Sequence, residues 1–291
     1  MAAERFTGNN GKGMLGVCID GEYFPAFPNV AENIKQLRGM EIHKDDVIVT
    51  GYPKAGLHWI CEIVHMLLCN TTQVSKFVTG KAPEVVLHME KVSLQDLDNL
   101  AAPRIMWSHL HHDRLPRDMV NKHPKIVHIV RNPKDSAVSM YYFCKRLPFV
   151  KYDGEWDDFL EMFMDGKVLY GSWFDYEADW QQKETNVFNI SYEQLREAPL
   201  QVLPELSAFL GCDRSPEFLQ KVAEATSFEN MKTVKEEQMK ATPLPYKNGV
   251  LYRKATVGDW KHHFTVHQNE RFDALWNKKM PGAGFSSVIT N

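Results

Sequence analysis

The sequence predicts an α/β fold: one domain over residues 1–291, with a central, mainly parallel sheet flanked by helices. Two observations carry this. Runs rich in β-branched residues at Val47–Thr50, 126–130 and 187–190 each pass through a loop into an apolar pattern of helical period. Strands alternating with helices in this way build a layered sheet whose ligands bind beyond the carboxyl ends of the strands. Composition agrees. Hydrophobic residues make up 44% of the 291 and charged residues 24%, close to the globular average, which excludes a mainly disordered chain.

Taken in order, residues 1–45 begin Gly-punctuated and read as an N-terminal wrap over the surface of the remaining chain. From Asp46 the pattern turns regular. Val47–Thr50 reads as a buried strand and Gly51 to Gly56 as a loop, after which Leu57, Ile60, Cys61, Val64, Leu67 and Leu68 recur at helical spacing. A short strand over 104–107 leads into His109. The run 126–130 is a further strand, followed by Arg131-Asn132-Pro133 and a helix holding Ala137, Val138, Tyr141 and Tyr142. The run 187–190 precedes a helix across 203–210. Residues 235–252 carry Pro243, Pro245 and Gly249 without periodicity and read as a lid leading to Arg253-Lys254.

Thirty-four Lys and Arg against 37 Asp and Glu give a net charge of −3, which argues against coating duplex nucleic acid by bulk charge but leaves a local basic pocket open. The five cysteines, at 18, 61, 69, 144 and 212, lack CxxC spacing and read as reduced thiols. The N-terminus has no apolar signal core, and no apolar run approaches the ~18 residues of a membrane span. A cytoplasmic protein without a membrane or nucleic-acid partner is expected.

The segment from Gly51 to Trp59, Gly-Tyr-Pro-Lys-Ala-Gly-Leu-His-Trp, lies between a buried strand and an amphipathic helix. That placement offers backbone N–H groups and the positive helix end to an anion. Its glycine spacing starts like a nucleotide P-loop, yet Leu57-His58 stands where Lys-Ser/Thr is required, and the lysine, Lys54, has moved inside the loop. No Ser or Thr is in place to hold magnesium, which argues against a kinase or NTPase. A plain strand-to-helix turn with an exposed lysine is the bland alternative.

This loop resembles the 5′-phosphosulfate loop of the cytosolic sulfotransferases, whose usual form is Tyr-Pro-Lys-Ser-Gly-Thr-Thr-Trp. Further segments match that family in the same order: Ser108-His109-Leu110, Arg131-Asn132-Pro133-Lys134-Asp135 with Ser139, Tyr192-Glu193, Thr226-Ser227-Phe228, Arg253-Lys254 and Gly258-Asp259-Trp260-Lys261. The matches run from about residue 45 to 270. The resemblance implies a P-loop-like sulfotransferase fold and a reaction that moves a sulfuryl group from 3′-phosphoadenosine 5′-phosphosulfate to the hydroxyl or amine of a small, apolar acceptor, without a metal.

By resemblance, Lys54 lies at the oxygen bridging phosphate and sulfate, where negative charge grows as the S–O bond breaks and a fixed cation is needed. Ala55, Gly56, Leu57 and His58 line the 5′-phosphate. Trp59 and Phe228 stack on the adenine. Arg131 and Ser139 hold the 3′-phosphate, joined by Arg253, Lys254 and Ala255; an Arg fork suits a phosphate. Tyr192, Thr226, Ser227 and Met231 match positions around the adenosine. His109 matches the general base, and an imidazole with a pKa near ~6.5 can accept a proton at neutral pH. Trp59 as a core aromatic, Lys254 in a surface salt bridge, and Tyr192 or Thr226 as buried polar groups satisfied locally are the bland readings.

Departures from the family pattern are also present. Ala55, Leu57 and His58 replace a serine and two threonines, removing three hydroxyl donors. Trp107 stands where a lysine usually precedes the histidine by two residues, and Ala255 replaces a glycine. Phe24, Trp107, Phe143 and Tyr246 fall where family members line the acceptor pocket. Lys261-x-x-x-Thr265-Val266-x-x-x-Glu270 fits the short segment through which these enzymes form homodimers.

Three rival readings remain open on sequence alone. His109-x-His111-x-Asp113 copies most of a two-metal hydrolase run, although Arg114 stands where its last histidine is required. A P-loop nucleoside kinase shares the fold. A non-catalytic or weakened module that binds a nucleotide or small ligand accounts for the missing hydroxyls and Trp107.

Overall fold

The computed structural model describes residues 2–75, 86–181, 186–240 and 253–282. Among the described residues, eight strands form two sheets. β1 (Glu4–Thr7), β2 (Gly13–Ile19) and β3 (Glu22–Phe24) make a small antiparallel sheet. β4 (Val47–Thr50), β5 (Val86–His88), β6 (Ile105–Ser108), β7 (Lys125–Val130) and β8 (Val187–Ser191) form a five-stranded parallel sheet in the order β5-β6-β4-β7-β8. The predicted α/β class and parallel sheet are therefore present.

β4 explains why this sheet is central. All four of its residues are buried, and its side chains alternate between two cores. Val47 and Val49 join helices Leu57–Cys69 and Pro199–Leu210 on one face, while Ile48 joins helices Pro133–Arg146, Trp156–Met164 and Trp173–Gln181 on the other. Each such side chain contributes about 1.5–3 kcal/mol by burial, before conformational entropy is subtracted. At the amino end, the buried Arg104 guanidinium grips both Asp46 carboxylate oxygens at 2.8 and 2.6 Å, aligning the starts of β4 and β6. The chain runs to one side of β4 through β5 and β6 and to the other through β7 and β8. The carboxyl end of β4 is thus a switch point, where a crevice opens.

The first 45 residues depart from the expected wrap. Phe6, Met14, Val17, Ile19 and Phe24 are buried in the same core as the helices beyond β7. The turn between β2 and β3 is Asp20-Gly21, both with positive φ (52° and 84°), a conformation that matches the twist of a two-residue hairpin. Residues 235–240 also differ from expectation. They are not a loop but the end of helix Phe228–Lys240, and Lys235 is buried. The rest of the expected lid, 241–252, lies outside the described residues, as does Tyr246. Among the described residues, no helix is long and apolar enough to cross a membrane.

Candidate active site

A cleft of about 250 Å³ opens over the carboxyl edge of the parallel sheet, at the loop after β4. That loop is shaped by sterics. A Cβ on Gly51 would lie 2.5 Å from a Leu57 methyl and 2.6 Å from the Ile129 carbonyl, so no side chain fits there. Tyr52 is fully buried and its hydroxyl donates to the Gly171 carbonyl at 2.7 Å. Lys54 adopts a left-handed φ of 74°, a conformation that costs a non-glycine residue about 1–2 kcal/mol. Arg131 secures it, donating Nη1 to the Lys54 carbonyl at 3.0 Å. Gly56 (φ 108°) then opens helix Leu57–Cys69 with no side-chain cap, leaving the positive helix end turned to the cleft.

Of the residues singled out in the sequence, Lys54, Gly56, Leu57, His58, Trp59, Trp107, His109, Arg131, Ser139, Phe143, Tyr192, Thr226, Phe228, Met231, Arg253, Lys254 and Ala255 all line this one cleft. Three do not. Ala55 is fully buried in the core behind the loop. Ser227 begins helix Phe228–Lys240, its carbonyl accepting the Met231 N–H and its hydroxyl the Asn230 N–H. Phe24 is 1% exposed and packs edge-on behind Tyr170, 5.3 Å between ring centroids, so it is a core residue and Pro25 and Phe27 reach the cleft instead. His88, Tyr170, Glu62, Ser75 and Lys235 line the cleft as well and were missed.

The cations come from separate elements. Lys54 Nζ sits 4.1 Å above the Phe143 ring, and burial, followed by the charge of Arg131, lowers its pKa to about 8. Arg131, which follows β7, stacks 4.3 Å over Tyr192. Arg253 and Lys254 are both held by Asp259, at 2.6 and 3.0 Å. Burial works against the Asp259 carboxylate, yet its bonds to Lys254 and Arg253 hold its pKa at about 2. The Asp259 loop is anchored in turn by Asp135, which accepts the N–H groups of Gly258 (2.7 Å) and Trp260 (2.9 Å). Arg131 Nε and Arg253 Nε are buried without a hydrogen-bond partner. Guanidinium nitrogens in that state suit a cleft shaped for an anion.

His109 follows β6. Its Nδ1 lies 2.8 Å from the Gly51 carbonyl, and its backbone N–H donates to Glu90 at 2.8 Å. A carbonyl only accepts, so the hydrogen is on Nδ1, and Nε2 carries the lone pair. Burial lowers the His109 pKa to about 4, which keeps the ring neutral. Trp107, the departure two residues earlier, packs against His58 (5.0 Å), His109 (5.4 Å) and, flat, His88 (3.7 Å). His111 contacts Glu22 (3.5 Å) and Asp179 (3.9 Å), well removed from the role of a shared ligand with His109. Among the described residues, no group of three His, Cys, Asp or Glu is placed to hold a metal.

Residues 44–284 match the family model described as the sulfotransferase domain. The chain belongs to the sulfotransferase family. This sulfotransferase is 35% identical over 268 residues to dog (Canis lupus familiaris) sulfotransferase 1B1, across 88% of this chain and 89% of the relative. It is 32% identical over 272 residues to human (Homo sapiens) sulfotransferase 2A1, across 90% and 94%. Among solved structures, mouse sulfotransferase SULT7A1 complexed with PAP superposes with a TM-score of 0.80 at 29% identity, covering 94% of this chain and 98% of that one. The sulfotransferase thus shares the fold of a relative crystallised with PAP in place.

Proposed function

We propose that the protein transfers a sulfuryl group from 3′-phosphoadenosine 5′-phosphosulfate to the hydroxyl of a small, apolar acceptor, with His109 as the general base. The carrying observation is convergence. Lys54, Arg131, Arg253 and the Nε2 of a neutral imidazole, contributed by four separate loops, meet in a single cleft. The PAP in the SULT7A1 structure supports the same nucleotide here, as do the two buried, unpartnered guanidinium nitrogens.

When bound, the nucleotide supplies an activated sulfuryl group carried on a phosphate leaving group. Arg131, Arg253, Lys254 and Ser139 hold its 3′-phosphate, while the N–H groups at the start of helix Leu57–Cys69 hold the 5′-phosphate. Trp59, Phe228, Tyr192, Thr226 and Met231 surround the adenosine. The Thr226 hydroxyl is already satisfied by the Val222 carbonyl, so Thr226 serves through its carbonyl, which fixes the Trp59 indole at 2.8 Å. His109 accepts the acceptor's proton at Nε2, and Gly51 steadies the imidazolium that results through Nδ1–H. Lys54 sets its charge where the leaving oxygen becomes negative. Phe27, Phe143, Tyr170 and Trp107 make the rest of the acceptor pocket apolar.

The test is paired measurement on His109→Ala. Transfer should fall at least a hundredfold, while PAP affinity by calorimetry stays within about twofold. Substantial residual turnover would reject His109 as the base. Homodimerisation through 261–270 belongs to the same proposal. Val266 opens helix Val266–Lys279 and is 76% exposed, an apolar residue left uncovered by the described residues. Val266→Glu should convert a dimer to a monomer in sedimentation equilibrium; an unchanged mass would count against this segment.

A further inference from the structure

The acceptor cleft holds a second imidazole that the transfer chemistry does not use, and its setting bears on which acceptors the proposed transferase takes. His88 is the last residue of β5 and the register partner of Trp107 on β6. The two rings stack 3.7 Å apart and within 10° of parallel, with Phe27 edge-on at 5.7 Å on the other side. The stack therefore fixes the plane of the ring. His88 Nε2 lies 3.4 Å from Glu90 Oε1, the oxygen that also accepts the His109 N–H. Glu90 is fully buried; burial raises its pKa, but the neighbouring His88 imidazole and the His109 backbone N–H outweigh this and bring it below the usual carboxylate range. His88 Nε2 and Glu90 Oε1 are too poorly aligned for a hydrogen bond. An ionised carboxylate at this distance still attracts an N–H and repels a lone pair, which favours the hydrogen of the neutral ring on Nε2. Nδ1 is the nitrogen left to meet whatever fills the cleft.

The two histidines are thus set in complementary tautomers, His109 by its hydrogen bond to the Gly51 carbonyl and His88 by the charge of the nearby Glu90 carboxylate. Their ring centroids are 5.9 Å apart and their planes nearly perpendicular, at 86°. Two hydroxyls on neighbouring carbons, each at about 2.8 Å from its own nitrogen, bridge a gap of this size. The remaining walls, Phe27, Phe143, Tyr170 and Trp107, favour a flat aromatic body. A buried acceptor nitrogen also discriminates against what cannot donate to it, because an acceptor molecule with an apolar edge there leaves the nitrogen unpaired. We infer that His88 is a specificity-determining residue that receives a second hydroxyl adjacent to the one being sulfated, so that catechols are preferred over simple phenols. No bond is made or broken at His88; the transferred proton goes to His109.

The experiment compares 4-methylcatechol with 4-methylphenol as acceptors for the full-length protein, with PAP binding measured in parallel. The wild-type ratio of kcat/KM should favour the catechol about tenfold, the effect of one hydrogen bond. His88→Phe, which keeps the stack on Trp107, should bring the ratio to about one. His88→Gln, which retains an accepting oxygen, should restore part of it. A wild-type ratio near one, or a ratio that survives His88→Phe, overturns the inference while transfer to the phenol leaves the sulfuryl-transfer reading standing. Loss of PAP binding in the wild type, or no transfer to either acceptor, overturns that reading and this inference with it.

Discussion

His109 and Lys54 work under opposite demands in the same enclosure. Burial depresses both pKa values, to about 4 and about 8 respectively. For the imidazole this is useful, since the basic form persists far below neutrality. For the ammonium it is a cost, because the charge that the leaving group requires is lost as pH rises. The kcat/KM for the nucleotide, which reports the free enzyme, is expected to be flat between limbs near pH 4 and pH 8. Lys54→Arg, which cannot deprotonate in this range, should abolish the alkaline limb; a limb that persists assigns it elsewhere. Stability follows the sign of the His109 shift. Between about 6.5 and 4 the unfolded chain binds the proton that the folded site refuses, so stability falls as pH drops through this window. Lys54 and Arg131 stood out in the sequence because each follows a short β-rich run, at the edge where such sheets bind ligands, whereas His109, one of twelve histidines, stood out only through the family resemblance. Phe24 was misplaced because an aromatic residue gives no sign of which side it faces. His88 escaped notice because β5 is three residues long, too short for its period to register.

At the scale of elements, the Arg-Asn-Pro-Lys-Asp run does more than end in a ligand. Asn132 accepts the Lys134 N–H and donates its own backbone N–H to Glu193, while Pro133 occupies the first helical turn. Asp135 reaches across to the Gly258 and Trp260 N–H groups, so the loop bearing Arg253 and Lys254 is positioned by the helix that bears Ser139. Asp135→Ala should destabilise the fold by about 3 kcal/mol, since two N–H groups lose a charged acceptor. It should also weaken PAP binding at least tenfold, although Asp135 is not in the cleft lining. Unchanged affinity by calorimetry would separate that loop from the nucleotide. The order of strand, loop and helix was readable here because period and capping residues coincide. The N-terminal sheet was not, because Gly13 and Gly16 look like punctuation and only the Asp20-Gly21 pair marks a hairpin. The helix beyond Phe228 has a weak apolar stripe, so its extent to Lys240 had no clear signal.

Across the whole molecule, the two cores are joined by the sheet, but the far side of the cleft is joined by charge. Glu62, on the helix after the loop, accepts from Lys235 at 2.6 Å and from the Ser75 N–H at 2.9 Å, and Lys235 also donates to the Ser75 carbonyl. Both ends of the ion pair are buried. Removing one partner leaves the other stranded, so Lys235→Met should cost about 3–5 kcal/mol in urea denaturation, while Glu62→Leu combined with Lys235→Met should recover most of that. Losses of Glu62→Leu and Lys235→Met that simply add in the double variant would show the pair to be inert. Nothing in the sequence announces this link: its partners are far apart in the chain, and such a pairing has no local period or motif.

The contact between Arg131 and the Lys54 carbonyl has an evolutionary corollary. A lysine at 131 would supply the same formal charge yet could not reach back to brace the strained peptide, so the turn would relax and its ammonium would wander. Position 131 is therefore closed to the commonest conservative exchange, and drift in this lineage should show there first as loss of rate with ligand capture partly spared.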